Sequence, residues 1–149
     1  MKDMFKFIGI FVRTSNVNNK AEADLTKLWT RFFEDDILHK IPHKVNTDVY
    51  AIYTDYESDY KGEYTCFIGC RVKVMESIPS GMIGKEFPAQ PHKLFVAKGA
   101  LPKAVESTWQ EIWAQDKYLE RSYTYDVEVY GPDSQKGDNS KVDIYIGVK

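Results

Sequence analysis

Glu128 is the residue of this chain best placed to do chemistry. It stands in Asp126-Val127-Glu128-Val129-Tyr130, a segment that alternates as a half-buried strand does. By strand parity Thr124, Asp126, Glu128 and Tyr130 share one face, and Tyr123, Tyr125, Val127 and Val129 the other. If the first face lies in water, Glu128 is an ordinary surface carboxylate. If it lines a cleft, a desolvated carboxylate among aromatic rings attracts organic cations, by Coulomb attraction and by cation–π contact. Hydrogen bonds would then have to keep the carboxylate ionised. Trp29, Trp109 and Trp113, on helical stripes, could wall such a cleft, and Tyr53, Tyr56, Tyr60 and Tyr64 cluster around one turn. Both groups have a plainer structural reading, as core filler and as cross-strand pairs.

Other chemistry finds little support. His39 and His43 have the spacing of a helical metal pair, but Pro42 lies between them and no third ligand is apparent. Asp133, Gly137 and Asp138 do not match a calcium loop. No glycine-rich phosphate loop, nucleophile elbow or paired-cysteine zinc pattern is present. No metal, cofactor or catalytic residue is assigned.

The elements that must position Glu128 are repeated. Asp48-Val49 recurs 78 positions later as Asp126-Val127, and Phe67-Ile68-Gly69 recurs at the same offset as Tyr145-Ile146-Gly147. Trp29 and Trp109 sit in two stretches that both read as amphipathic helix. Two similar units packed about an approximate two-fold axis follow. At the repeat offset Tyr50 lines up with Glu128, a chemical break in the symmetry.

The first unit, about residues 4–74, reads as a strand over 4–14, a helix from 21 to about 40 that ends at Pro42, and a hairpin of 48–56 and 62–74. Pro79, Gly81, Gly84 and Pro88 mark a linker. The second unit, about 85–149, reads as a strand over 92–97, a helix opened by Leu101-Pro102, and a hairpin of 123–130 and 141–148. The fold class is α+β: two βαββ repeats forming one antiparallel sheet, both helices on one face, with a cleft between the halves. The 149 residues are expected to form a single domain.

Composition narrows the partners. Net charge is −2, which argues against direct nucleic-acid binding. No stretch reaches the roughly 18 apolar residues of a membrane span, and no secretory signal is apparent. Cys66 and Cys70, on one strand, would stand about 13 Å apart at roughly 3.3 Å per residue, too far to bridge. Two free thiols fit a reducing, cytoplasmic setting.

With these residues laid out, the chain resembles the GyrI-like effector-binding domains, the small-molecule modules of AraC-type and MerR-type regulators. The resemblance runs through Val49-Tyr50-Ala51-Ile52-Tyr53-Thr54-Asp55-Tyr56, Gly62-Glu63-Tyr64-Thr65 and Ile68-Gly69. It continues through Trp109-Gln110-Glu111-Ile112-Trp113 and Asp126-Val127-Glu128-Val129-Tyr130. It is strongest to stand-alone forms, including those carried by mobile gene cassettes. The resemblance implies a cleft for lipophilic, often cationic, drug-like compounds, with Glu128 at its base. Trp109 and Tyr50 would form walls and Tyr145 would come from the last strand, on the face of Glu128. Trp113 and Phe67, the repeat mate of Tyr145, complete the expected ligand-binding set.

The implied role is a sensor or sequestering protein without its own DNA-binding domain, which would need a partner regulator chain or a lost fusion to act on transcription. Separately, an exposed edge strand could pair two copies into a homodimer. Two alternatives stand beside it. One is a hydrolase of strained electrophiles with Glu128 as general base. The other is a gyrase-inhibitor-like interaction module.

Overall fold

The computed structural model describes residues 1–149. The first half runs β1 (Phe5–Ser15), α1 (Lys20–Glu34), the single turn α2 (Ile37–Lys40), β2 (Val49–Thr54) and β3 (Glu63–Val72). A short strand β4 (Ile83–Phe87) follows. The second half repeats the order with β5 (His92–Lys98), α3 (Lys103–Ala114), the turn α4 (Asp116–Leu119), β6 (Arg121–Tyr130) and β7 (Lys141–Val148). All pairings are antiparallel, in one seven-stranded sheet of order β4-β1-β3-β2-β6-β7-β5.

Helix α1 forms because Leu25, Leu28, Trp29 and Phe32 recur at helical spacing, so one stripe packs on the sheet. Leu28 and Phe32 are buried with Ile8, Ile10 and Ile68. Helix α3 buries Val105 and Ile112 against Val142, Ile144 and Ile146. The two helices cover the two wings of the same sheet face. Between them lies the central pair β2–β6, and no helix sits on it.

Two boundaries differ from the sequence reading. The expected long first helix breaks at Asp35-Asp36, where Asp36 adopts a left-handed φ of 52°. An aspartate tolerates that conformation and the chain restarts as α2. The expected linker contains β4, which pairs with the outer edge of β1 and so covers backbone groups an edge strand would leave open.

The opposite face carries an aromatic core of Phe5, Phe7, Tyr50, Phe67, Phe87 and Tyr125. The sheet is curled around it. Strands β4 and β5 are its two edges, yet only residues 88–91 join them. That segment crosses beneath the sheet, where Gln90 Nε2 donates to the Tyr125 carbonyl at 2.7 Å and the Tyr125 hydroxyl donates to the Pro88 carbonyl. Glycines permit the curl at one crossing. Gly9 faces Gly69, and a Cβ on Gly69 would lie 2.1 Å from the Ile8 carbonyl oxygen.

Candidate functional site

The uncovered centre of the helix-side face is a cavity of about 500 Å³, within the range usual for small-molecule sites. Its floor comes from β2, β3 and β6, its walls from α1 and α3. Glu128 lies at the base, 2% exposed. Three neutral groups hold its carboxylate. Tyr53 on β2 donates to Oε2 at 3.0 Å, Trp109 Nε1 on α3 donates to Oε2 at 2.6 Å, and Tyr130 donates to Oε1 at 2.6 Å. Each donor is positioned by packing: Tyr53 sits edge-on to Trp109, and Tyr130 edge-on to Trp29 of α1. Burial raises the Glu128 carboxyl pKa above its ordinary value, and the hydrogen bonds from Tyr130, Trp109 and Tyr53 oppose that rise without cancelling it.

A second carboxylate on the same strand face has a different partner. Asp126 is fully buried, and Arg121 donates to its Oδ2 at 2.6 Å. The Tyr56 hydroxyl and the Gly147 amide also donate to it. Arg121 reaches Asp116 at 3.2 Å as well. Burial is the largest single influence on the Arg121 pKa and lowers it. The attraction of Asp126, joined by Tyr56, Tyr123 and the hydrogen bond to Asp126, outweighs it, and the net shift is upward. Arg121 is the one basic side chain lining the cavity, and it is already neutralised. Glu22 of α1 and Glu106 of α3 also line the cavity.

At one end the tip of the β2–β3 hairpin closes over the space. The Tyr60 ring stacks on Trp113 at 5.6 Å, and Tyr64 donates to Asn16 at 2.9 Å. The tyrosine cluster that reads from sequence as hairpin pairing is thus a cavity wall, with Tyr53, Tyr56, Tyr60 and Tyr64 all lining it.

Of the six residues expected at the site, Glu128, Trp109 and Trp113 line the cavity. Tyr50, Phe67 and Tyr145 do not. In the register Glu128 stands opposite Ala51 on β2 and Ile144 on β7, whereas Tyr50 pairs with Val129 and Tyr145 with Val127. Directly paired residues share a sheet face, so Tyr50 and Tyr145 point to the far side. Phe67 pairs with Ile52 and points there too. All three belong to or pack on the far-side aromatic core. The alignment of Tyr50 with Glu128 therefore does not hold in space. A two-fold axis through the sheet preserves its faces, so the mate of Glu128 lies on the β2 face of Val49, Ala51 and Tyr53. Tyr53, Tyr130 and Trp29 take the vacated roles. Tyr130 was legible from strand parity with Glu128, and Tyr53 was not. The two histidines are also apart from any shared site: His39 Nδ1 meets Asp36 on α2, and His43 lies beyond the helix end with a φ of 58°.

A curled antiparallel sheet built from two βαββ halves, with a central aromatic cavity between two helices, defines a domain of the GyrI-like class. The chain belongs to the Cass2 family of integron-associated effector binding proteins, which it matches over residues 1–148. It is similar to VCH_CASS2, an integron cassette protein from the mobile metagenome of Vibrio cholerae. That match has 29% identity and a TM-score of 0.74, over 99% of this chain and 92% of that one. YobU of Bacillus subtilis (strain 168), provisionally named a transcriptional regulator, is 27% identical over 99% of this chain and 94% of its own length. SAV2435, whose structure holds tetraphenylphosphonium, shares the fold with a TM-score of 0.82 at 17% identity, over 99% of this chain and 90% of that one. No helix here is long and apolar enough to cross a membrane.

Proposed function

We propose that the chain binds lipophilic organic cations in the cavity between α1 and α3, with Glu128 as the counter-charge. One observation carries this reading: Glu128 is a buried carboxylate whose three partners are all neutral. Neutral donors stabilise a negative charge without balancing it. Asp126, two residues away, shows what balance looks like in the same fold. An organic cation with apolar arms would complete the Glu128 site. Trp29, Trp109 and Trp113 offer it ring faces and apolar contact. The tetraphenylphosphonium bound by SAV2435 is a compound of this kind. The role is a sensor or sequestering protein whose output passes through a second copy or a partner regulator. The hydrolytic alternative is less well served, because most acceptor positions of Glu128 are taken by donors, and a general base needs a free one.

Thermal shift tests the reading with tetraphenylphosphonium, neutral triphenylphosphine oxide and anionic tetraphenylborate. At a hundredfold excess over the dissociation constant the cation should stabilise the fold by about 2.7 kcal/mol, with little effect from the other two. No shift with any of the three would remove the cation reading. The far-side residues give a contrast. Tyr145→Phe should change cation affinity by less than about twofold, about 0.4 kcal/mol, when measured by calorimetry. A larger loss would place Tyr145 in the site after all.

Affinity and stability should respond to pH with opposite signs. The folded-state pKa of Glu128 is raised, so folding favours its protonated form. That contribution is fully present below the unfolded value of about 4.3 and is lost as pH rises through the raised folded value. Cation binding needs the ionised form, so affinity climbs across the same window. Calorimetric titrations at a series of pH values, paired with melting curves of the free protein, read both slopes. An affinity flat with pH would mean that ionisation of Glu128 is not coupled to binding.

A further inference from the structure

Glu128 keeps little hydrogen-bonding capacity for a ligand. A carboxylate has about four acceptor positions, two on each oxygen. Oε2 accepts from both Tyr53 and Trp109, and Oε1 accepts from Tyr130. One position remains, on Oε1. We infer, resting on the cation reading of this cleft, that the site selects cations carrying no N–H donor, such as quaternary ammonium and phosphonium ions. It does so over protonated amines of the same charge and chain.

The reason is a shortage of acceptors. A primary ammonium brings three donors, all satisfied in water. In this cavity one of them can reach Glu128. At the base of the cavity the others meet the indole walls of Trp29, Trp109 and Trp113, or the phenol oxygens of Tyr53 and Tyr130, poorer acceptors than the water they replace. The other acceptor side chains of the lining, among them Glu22, Glu106 and Gln110, are solvent-exposed on the helices and not at the base. Arg121 has only donors to offer. A strongly hydrated cation would therefore leave donors unmet on entering. A quaternary cation spreads its charge over C–H groups and needs no acceptors. Its attraction to Glu128 is Coulombic, and the rings, which cannot replace the hydrogen bonds an ammonium leaves in water, hold it face-on at no such cost.

The test compares dodecyltrimethylammonium with dodecylammonium by calorimetry, below their micelle concentrations. A pH of about 8.5 keeps the amine protonated, since alkylammonium groups titrate near 10.4. The wild type should bind the quaternary ion roughly tenfold or more tightly than the primary one. Tyr130→Phe frees a second acceptor position on Oε1 and should narrow that ratio several-fold in favour of the primary ammonium. Tyr53→Phe, which frees a position on Oε2, is the independent second variant. The affinity ratio is the readout, so a loss common to both ligands does not disturb it. Equal affinities in the wild type, or ratios unmoved in both variants, would overturn the selection while leaving cation binding in place. A folded wild type that binds neither ion would overturn the cation reading, and this inference with it.

Discussion

Glu128→Gln is expected to lower the affinity for tetraphenylphosphonium by about tenfold to a hundredfold while leaving the melting temperature of the free protein unchanged or higher. At about 5 Å and an effective dielectric constant of about 20, the carboxylate–cation attraction is roughly 3 kcal/mol. Desolvation of the cation offsets part of it, which leaves about 1.4–2.8 kcal/mol, or ten- to a hundredfold. The substitution is nearly isosteric. The amide oxygen can take the place of Oε2 and accept from Trp109 and Tyr53. The amide nitrogen can take the place of Oε1 and donate to the Tyr130 oxygen, because a phenol can rotate its hydrogen away. The variant also removes a buried charge that no cation balances in the free protein. Calorimetry and melting curves therefore separate the two effects. Binding retained within about twofold would show that shape, not charge, recognises the ligand. A large fall in melting temperature would show that Glu128 serves the fold.

Asp126→Ala should do the reverse and act first on stability. Arg121 and Asp126 have side chains 1% and 0% exposed, and their contact is 2.6 Å. Removing one member of such a pair costs about 3–5 kcal/mol, because the other charge stays buried. Here the loss also strands the Tyr56 hydroxyl and the Gly147 amide, both of which donate to Asp126. Asp116, only partly buried, still holds Arg121 and moderates the effect. In a chain of this size each kcal/mol moves the midpoint by about 2–4 °C, so a drop of roughly 6–20 °C should appear in thermal melts. The double change Arg121→Met with Asp126→Leu should cost less than the single Asp126→Ala, since it removes both charges together. A single variant melting within about 2 °C of the wild type would mean that the pair is not the anchor its geometry describes.

The contrast between the two carboxylates also shows what could be read without coordinates. Period-two alternation placed β2, β3, β6 and β7, and the 3.6-residue stripes of Leu28, Trp29 and Phe32 and of Val105, Trp109 and Ile112 placed α1 and α3. These patterns are local, because each element must bury one face, and the repeat then supplied the architecture. Parity within β6 put Asp126, Glu128 and Tyr130 on one face, and the structure has them there. Strand β4 and the break at Asp36 escaped the sequence reading, since a five-residue edge strand and a single left-handed residue carry little periodic signal.

What only the tertiary structure decided is the phase between strands. The sequence carries the period of each strand but not its register against the next, and a slip of one residue turns every side chain to the other face. The sequence reading put Tyr50, Phe67 and Tyr145 beside Glu128; the actual register puts them beneath it, in the aromatic core. A bulge in β6, where Tyr123 adopts a φ of 54°, shifts the β6–β7 pairing once more. Tyr53, Trp109 and Tyr130 come from β2, α3 and β6, and no spacing along the chain links all three. They meet at one carboxylate because the sheet curls, the helices leave β2 and β6 uncovered, and a buried charge is tolerated only where donors converge.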